Sequence, residues 1–179
     1  MEKYKFTMKP GRPRNLVLLI AAMIVLGAGT AWAVTTVTAT VKFVTDLSVA
    51  TVTSPSFGYV QAATAGTYTL DTGGIVTASG VGKLEGGAPA AGNFTITGSA
   101  SQPINISASG YSAAGGTSTP SLATCKYNGV VVAGADCTGV GLTAPGAGKT
   151  LLVGLKIVTT GGADGSTDSP TFNLTIVYQ

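Results

Sequence analysis

Between Val34 and Gln179 the chain holds two cysteines, six carboxylates and no histidine, and that short inventory limits the available chemistry. Cys125 and Cys137 could ligate a metal, act as a nucleophile or pair. Zinc needs more nitrogen and sulfur ligands than two thiols. A thiolate nucleophile needs a base such as histidine. A structural disulfide fits best, clipping the turn at Tyr127-Asn128-Gly129, because the chain opens with what reads as an export leader and an even cysteine count in an oxidising compartment implies pairing. General acid–base work needs a poised histidine or paired carboxylates. Asp46, Asp71, Glu85, Asp136, Asp164 and Asp168 are scattered, so no enzyme activity, catalytic residue, cofactor or metal is expected.

Two motifs invite a stronger reading and fail on their own chemistry. Ala144-Pro145-Gly146-Ala147-Gly148-Lys149-Thr150 resembles the end of a phosphate-binding loop, but Thr143 stands where the first glycine belongs. That loop also needs a following helix, whereas Leu151 to Val158 alternates as a strand. Asp164, Ser166 and Asp168 have the spacing of the first ligands of a calcium loop, but Ser169 and Thr175 replace the required glycine and glutamate. A solvated loop is expected there, with weak calcium binding as the alternative.

The elements that would position these residues are strands. From Val37 the alternation is strict, with Val37, Ala39, Val41 and Phe43 on one side and Thr38, Thr40 and Lys42 on the other. The chain closes in the same way: Phe172, Leu174, Ile176 and Tyr178 face one way, Asn173, Thr175 and Val177 the other. Between them, extended segments are expected at Leu47–Val52, Ser56–Val60, Tyr68–Leu70, Ile75–Ala78, Asn93–Thr97, Ile104–Ala108 and Thr150–Val158. Leu122–Val132 should be a hairpin turned at Asn128-Gly129. Gly80–Gly92, Gly110–Pro120 and Gly161–Pro170 read as loops. No window has helical apolar spacing with caps. The sum is an all-β chain of about ten strands, a sandwich in preference to a barrel. The sequons at Asn93, Asn105 and Asn173 fall inside expected strands and read as ladder residues. Tyr59, Tyr68, Tyr111 and Tyr127 read as packing residues, not sugar platforms.

Residues 1–33 stand apart from this pattern. Lys3, Lys5, Lys9, Arg12 and Arg14 precede an apolar run, Leu16 to Leu26, and Ala31-Trp32-Ala33 is a small-x-small cleavage site. The run is shorter than the ~20 residues of a spanning helix, so a cleaved signal peptide is expected over an uncleaved anchor. One β-domain, residues 34–179, remains. It carries five lysines against six acids; the basic character belongs to the leader, and no footprint for nucleic acid survives. No membrane partner is expected after cleavage. The destination is the periplasm and then the cell surface or exterior.

Two resemblances rest on these residues. The Thr/Ala/Val-rich strand after the leader, the Ser56-Phe57-Gly58 segment, the Gly-rich loop and Asn93-Phe94-Thr95-Ile96-Thr97-Gly98 together resemble a family of small secreted bacterial β-domains without an established activity. The last strand, Thr171 to Gln179 with its penultimate Tyr178, is similar to that of chaperone–usher pilins. The pilin resemblance implies an immunoglobulin-like sandwich lacking one strand, completed by a neighbouring subunit's extension and, before assembly, by a periplasmic chaperone. On that pattern Val37, Ala39, Val41 and Phe43 would be donor teeth, and Phe172, Leu174, Ile176 and Tyr178 would line the acceptor edge. The smallest tooth is Ala39 where pilin donors carry glycine, and the cysteine pair lies mid-chain. The implied function is a pilin-like or matrix subunit in a homo-oligomer or with pilus-like partners. The alternative is a monomeric adhesive or binding module with a ligand site on Gly80–Gly92 and Gly110–Pro120.

Overall fold

The computed structural model describes residues 38–179. The chain divides into two units, 1–41 and 42–179. Of the first, the described residues 38–41 are exposed and form no regular structure. Residues 1–33, where a signal peptide is expected, and Val37 lie outside the described residues.

The second unit is an antiparallel β-sandwich. Its larger sheet is organised around one long strand, β11 (Lys149–Thr159), whose alternation the sequence displays: Leu151, Val153, Leu155 and Ile157 are all buried. Along one side of β11 runs β8 (Ser118–Tyr127), followed outward by β9 (Val130–Val132). Its other side is shared end to end by two strands. β6 (Gly92–Thr97) pairs with Lys149–Val153, and β3 (Gly66–Leu70) with Leu155–Thr159. β1 (Ser48–Thr53) lies outside β6, and β4 (Val76–Ser79) outside β3. The fork falls at Gly154, where an added Cβ would lie 2.4 Å from the Leu70 carbonyl oxygen and 2.6 Å from Thr124 Oγ1. Only glycine lets β3 end against β11 at that point.

The second sheet has three strands: β10 (Gly139–Leu142), β7 (Ile104–Ser112) and β12 (Thr171–Tyr178), in that spatial order. A small ribbon of β2 (Tyr59–Val60) and β5 (Leu84–Gly86) is separate. The core lies between the two main sheets and includes Tyr68, Ile96, Ile104, Ile106, Ala123, Tyr127, Leu151 and Val153. Asn128 and Gly129 both have positive φ, 49° and 80°, as a two-residue hairpin turn with right-handed strand twist requires.

The structure corrects three expectations. The described part of the first expected strand is not a strand: residues 38–47 have no regular structure, and the sheet begins at Ser48. Gly80–Gly92 is not a plain loop, because Leu84–Gly86 pairs with the β2 segment. Gly110–Pro120 shrinks to 113–117, since β7 runs on to Ser112 and β8 starts at Ser118. β10 was not expected, because Gly139-Val140-Gly141-Leu142 lacks the β-branched density of a strand; it pairs through β7, not through its own propensity.

The fork makes a specific demand on position 154. Gly154→Ala should lower stability by about 1–3 kcal/mol through overpacking, measured by urea unfolding. Gly165→Ala, in open space at φ +72°, would serve as the comparison, where only backbone strain should count.

Candidate assembly edge

β12 pairs with β7 along one side only, and its other side has no strand partner among the described residues. Its alternation is the one the sequence announces: Phe172, Leu174, Ile176 and Tyr178 are half-buried, while Thr171, Asn173, Thr175 and Val177 are exposed. Opposed residues of an antiparallel pair share a face. Leu174 opposes Ala108, Ile176 opposes Ile106 and Tyr178 opposes Ile104, all buried. The four apolar side chains therefore point into the sandwich, and they stay half-open because no strand among the described residues covers them beyond the edge.

The facing rim belongs to β1. Val49 opposes Ile96 and Thr51 opposes Phe94, so Val49 and Thr51 share the inward face, yet Val49 is 46% exposed. Its outer edge is also unpaired among the described residues. The two open rims lie on the same side of the sandwich. At one end Gly98, which follows β6, sits so close to both Tyr178 and Leu47 that a Cβ there would meet the side chains of each. On the opposite side β9 and β10 approach, with Gly139 packed against Val132.

The strand order shows how this edge sits in the topology. Taking β1, β6, β7, β8, β11 and β12 in chain order, the larger sheet runs first–second–fifth–fourth and the smaller sheet holds third and sixth. The same orders occur in an immunoglobulin sandwich; here β10 is the third strand of the smaller sheet and β12 is its edge.

Tyr178 closes one end of the opening. Its hydroxyl accepts the Ser99 N–H at 2.6 Å and donates to the Thr45 carbonyl at 2.6 Å. Beside it, Lys42 Nζ donates to Gln102 Oε1 at 2.5 Å, and Gln102 Nε2 donates to the Gln179 carbonyl. At the other end Phe172 stacks on Tyr111, with ring centroids 6.2 Å apart. The Tyr111 hydroxyl donates to Asp136 Oδ1 at 2.5 Å, and the Ala123 N–H reaches the same oxygen. Asp136 and Cys137 both have positive φ. The Cys125–Cys137 disulfide, which is formed, holds that strained turn against β8.

Of the residues singled out in the sequence, Phe172, Leu174, Ile176 and Tyr178 share one strand and one face, as does the disulfide pair its turn. Ala39, Val41 and Phe43 are exposed, Phe43 at 90%, and Val37 lies outside the described residues. Asp168 is tied to the start of β8: its carboxylate accepts from the Thr117 N–H and hydroxyl, and bonds from Ser118 and Thr117 hold its pKa low. Among the described residues no cluster of three potential ligands exists, and no helix is long and apolar enough to cross a membrane. Thr45, Ser99 and Gln102 were not foreseen. Tyr178 reaches partners 79 and 133 positions away, and nothing local marks them. No protein family, no curated protein and no solved structure matches this chain.

Burial, then the hydrogen bond to Asp136 and its charge, push the Tyr111 pKa up to about 12. The phenol is thus favoured by folding, so its contribution is complete below the unfolded value near 10 and is lost as pH rises through about 12. Burial raises Tyr68 and Tyr127 as well, so a phenolate absorbance titration should show several late-titrating tyrosines, of which the component near 12 disappears in Tyr111→Phe. Replacing Cys125 and Cys137 by serine should cost about 3 kcal/mol in chemical unfolding.

Proposed function

We propose that this chain is a secreted or cell-surface structural subunit that polymerises by strand donation, residues 34–44 of one copy filling the place beside β12 of the next. The observation that carries the reading is the open side of β12, with four half-buried apolar side chains at a spacing of two. Val37, Ala39, Val41 and Phe43 repeat at the same spacing over the same length. Strand addition works in this way: ladder hydrogen bonds supply affinity, and alternate side chains entering pockets supply register. Burying Phe43 and Val41, which are exposed in the single chain, would contribute about 1.5–3 kcal/mol each.

An open, apolar edge is a hazard that proteins cover, and the first segment of a second copy is the occupant whose pattern fits. Neither rim of the opening offers a fixed charge on its inward face: the side chains are Val49, Thr51 and the four of β12. An uncharged, Thr/Val-rich strand suits it. Export through the periplasm is part of the reading, supported by the basic-apolar-small leader and by the disulfide. A periplasmic chaperone would fill the opening before assembly.

Electron micrographs and unheated SDS gels of residues 34–179 and of a version lacking 34–44 test the proposal. Filaments or SDS-resistant ladders that vanish with the truncation are expected. Val41→Asp with Phe43→Asp should abolish them likewise, by placing two charges in an apolar opening. A monodisperse monomer from the full mature chain would overturn polymerisation. Function would then pass to the loops at 80–92 and 113–117 as a binding module.

A further inference from the structure

We propose that Tyr178, with Gln102, is a latch that directs the extension away from its own sandwich and so commits it to a neighbour. The inference rests on the strand-donation reading and concerns which copy is filled.

The choice arises from geometry. β12 runs toward the Tyr178 end of the opening and finishes there, while β1 starts from the same end, just after Leu47. An extension that turned back into its own opening would have to reverse within residues 44–47. It would then run parallel to β12 and antiparallel to β1, as a hairpin with β1. An extension from another copy is free to run antiparallel to β12, the pairing with the better hydrogen-bond geometry. The linker is so short that self-insertion has a high effective concentration in its favour. Without a restraint, the monomer would be self-filled and polymerisation suppressed.

The restraint lies in residues 42–47. The Tyr178 hydroxyl binds the Thr45 carbonyl while held by the Ser99 N–H. Leu47 packs against the core. Lys42 reaches Gln102 in the connection between β6 and β7, and Gln102 is tied to the Gln179 carbonyl past the end of β12. The Gln179 N–H in turn donates to the Pro103 carbonyl at 3.0 Å. The segment is thereby drawn over the β6–β7 connection, at the end of the sandwich, and the reversal needed for self-insertion would break the Thr45 and Lys42 contacts. The Tyr178 hydroxyl acts as a positioning group; its ring remains an apolar tooth of the edge.

The test uses residues 34–179 with Tyr178→Phe, which keeps the ring, and separately with Lys42→Met and Gln102→Leu together. Each is compared with the parent at equal concentration by size-exclusion chromatography and unheated SDS gels. A fluorescent peptide of residues 34–44 reports free openings. Loss of these hydrogen bonds should raise the monomer-to-polymer ratio about tenfold, and the new monomers should exclude the peptide because their openings are self-filled. Unchanged polymer in both variants, or monomers that take up the peptide readily, would overturn the latch while leaving strand donation standing. A parent chain that neither polymerises nor binds the peptide would overturn both.

Discussion

The open edge that β12 presents among the described residues, with its apolar face turned inward, is the constraint on which this side of the molecule depends. A two-layer sandwich is least covered along the edges of its layers, and β12 is an edge of the smaller, three-stranded layer. Phe172, Leu174, Ile176 and Tyr178 have their inner neighbours on β7 but no outer strand among the described residues, and Val49 across the opening is left half-wetted. Backbone groups along the outer side of β12 have no ladder partner within the described chain. Both deficits lie in the same strip, so one added strand would repair both.

The remainder of the fold holds that strip open without collapse. β11 binds the larger layer together, flanked by β8 on one side and by β6 and β3 in series on the other, with glycine at the fork. The two ends of the opening are set by tyrosines. Tyr178 joins β12, the end of β6 and the approach to β1 through one hydroxyl. Tyr111 joins Phe172 to the disulfide-held turn through Asp136. Each uses a large ring as packing and its hydroxyl as a directional tie, which suits the boundary between core and solvent.

Strands whose side chains alternate cleanly were legible in the sequence because period two reports burial on one face directly. β6, β7, β8, β11 and β12 belong to this group, and so does the hairpin turn at Asn128-Gly129, whose positive φ values demand those residues. β5 and β10 were not legible, since Leu84-Glu85-Gly86 and Gly139-Val140-Gly141-Leu142 become strands only by bonding to a neighbour. The segment from Val37 to Phe43 shows the converse. Its alternation is as clean as that of β12, yet its described residues form no strand in the single chain, because a pattern states which face wants burial and not what will bury it.

By itself the sequence determined an all-β sandwich, the disulfide pair, the face that β12 turns inward and the exclusion of histidine-based chemistry. These follow from local period, residue type and the limited ways of satisfying two thiols. Only the tertiary structure decided that β12 and β1 are both edges, that they open on the same side, and that Thr45, Ser99 and Gln102 meet Tyr178 and Gln179 at one end. Such facts depend on which strands lie side by side, and that order is fixed by contacts between residues far apart along the chain, to which local alternation is blind.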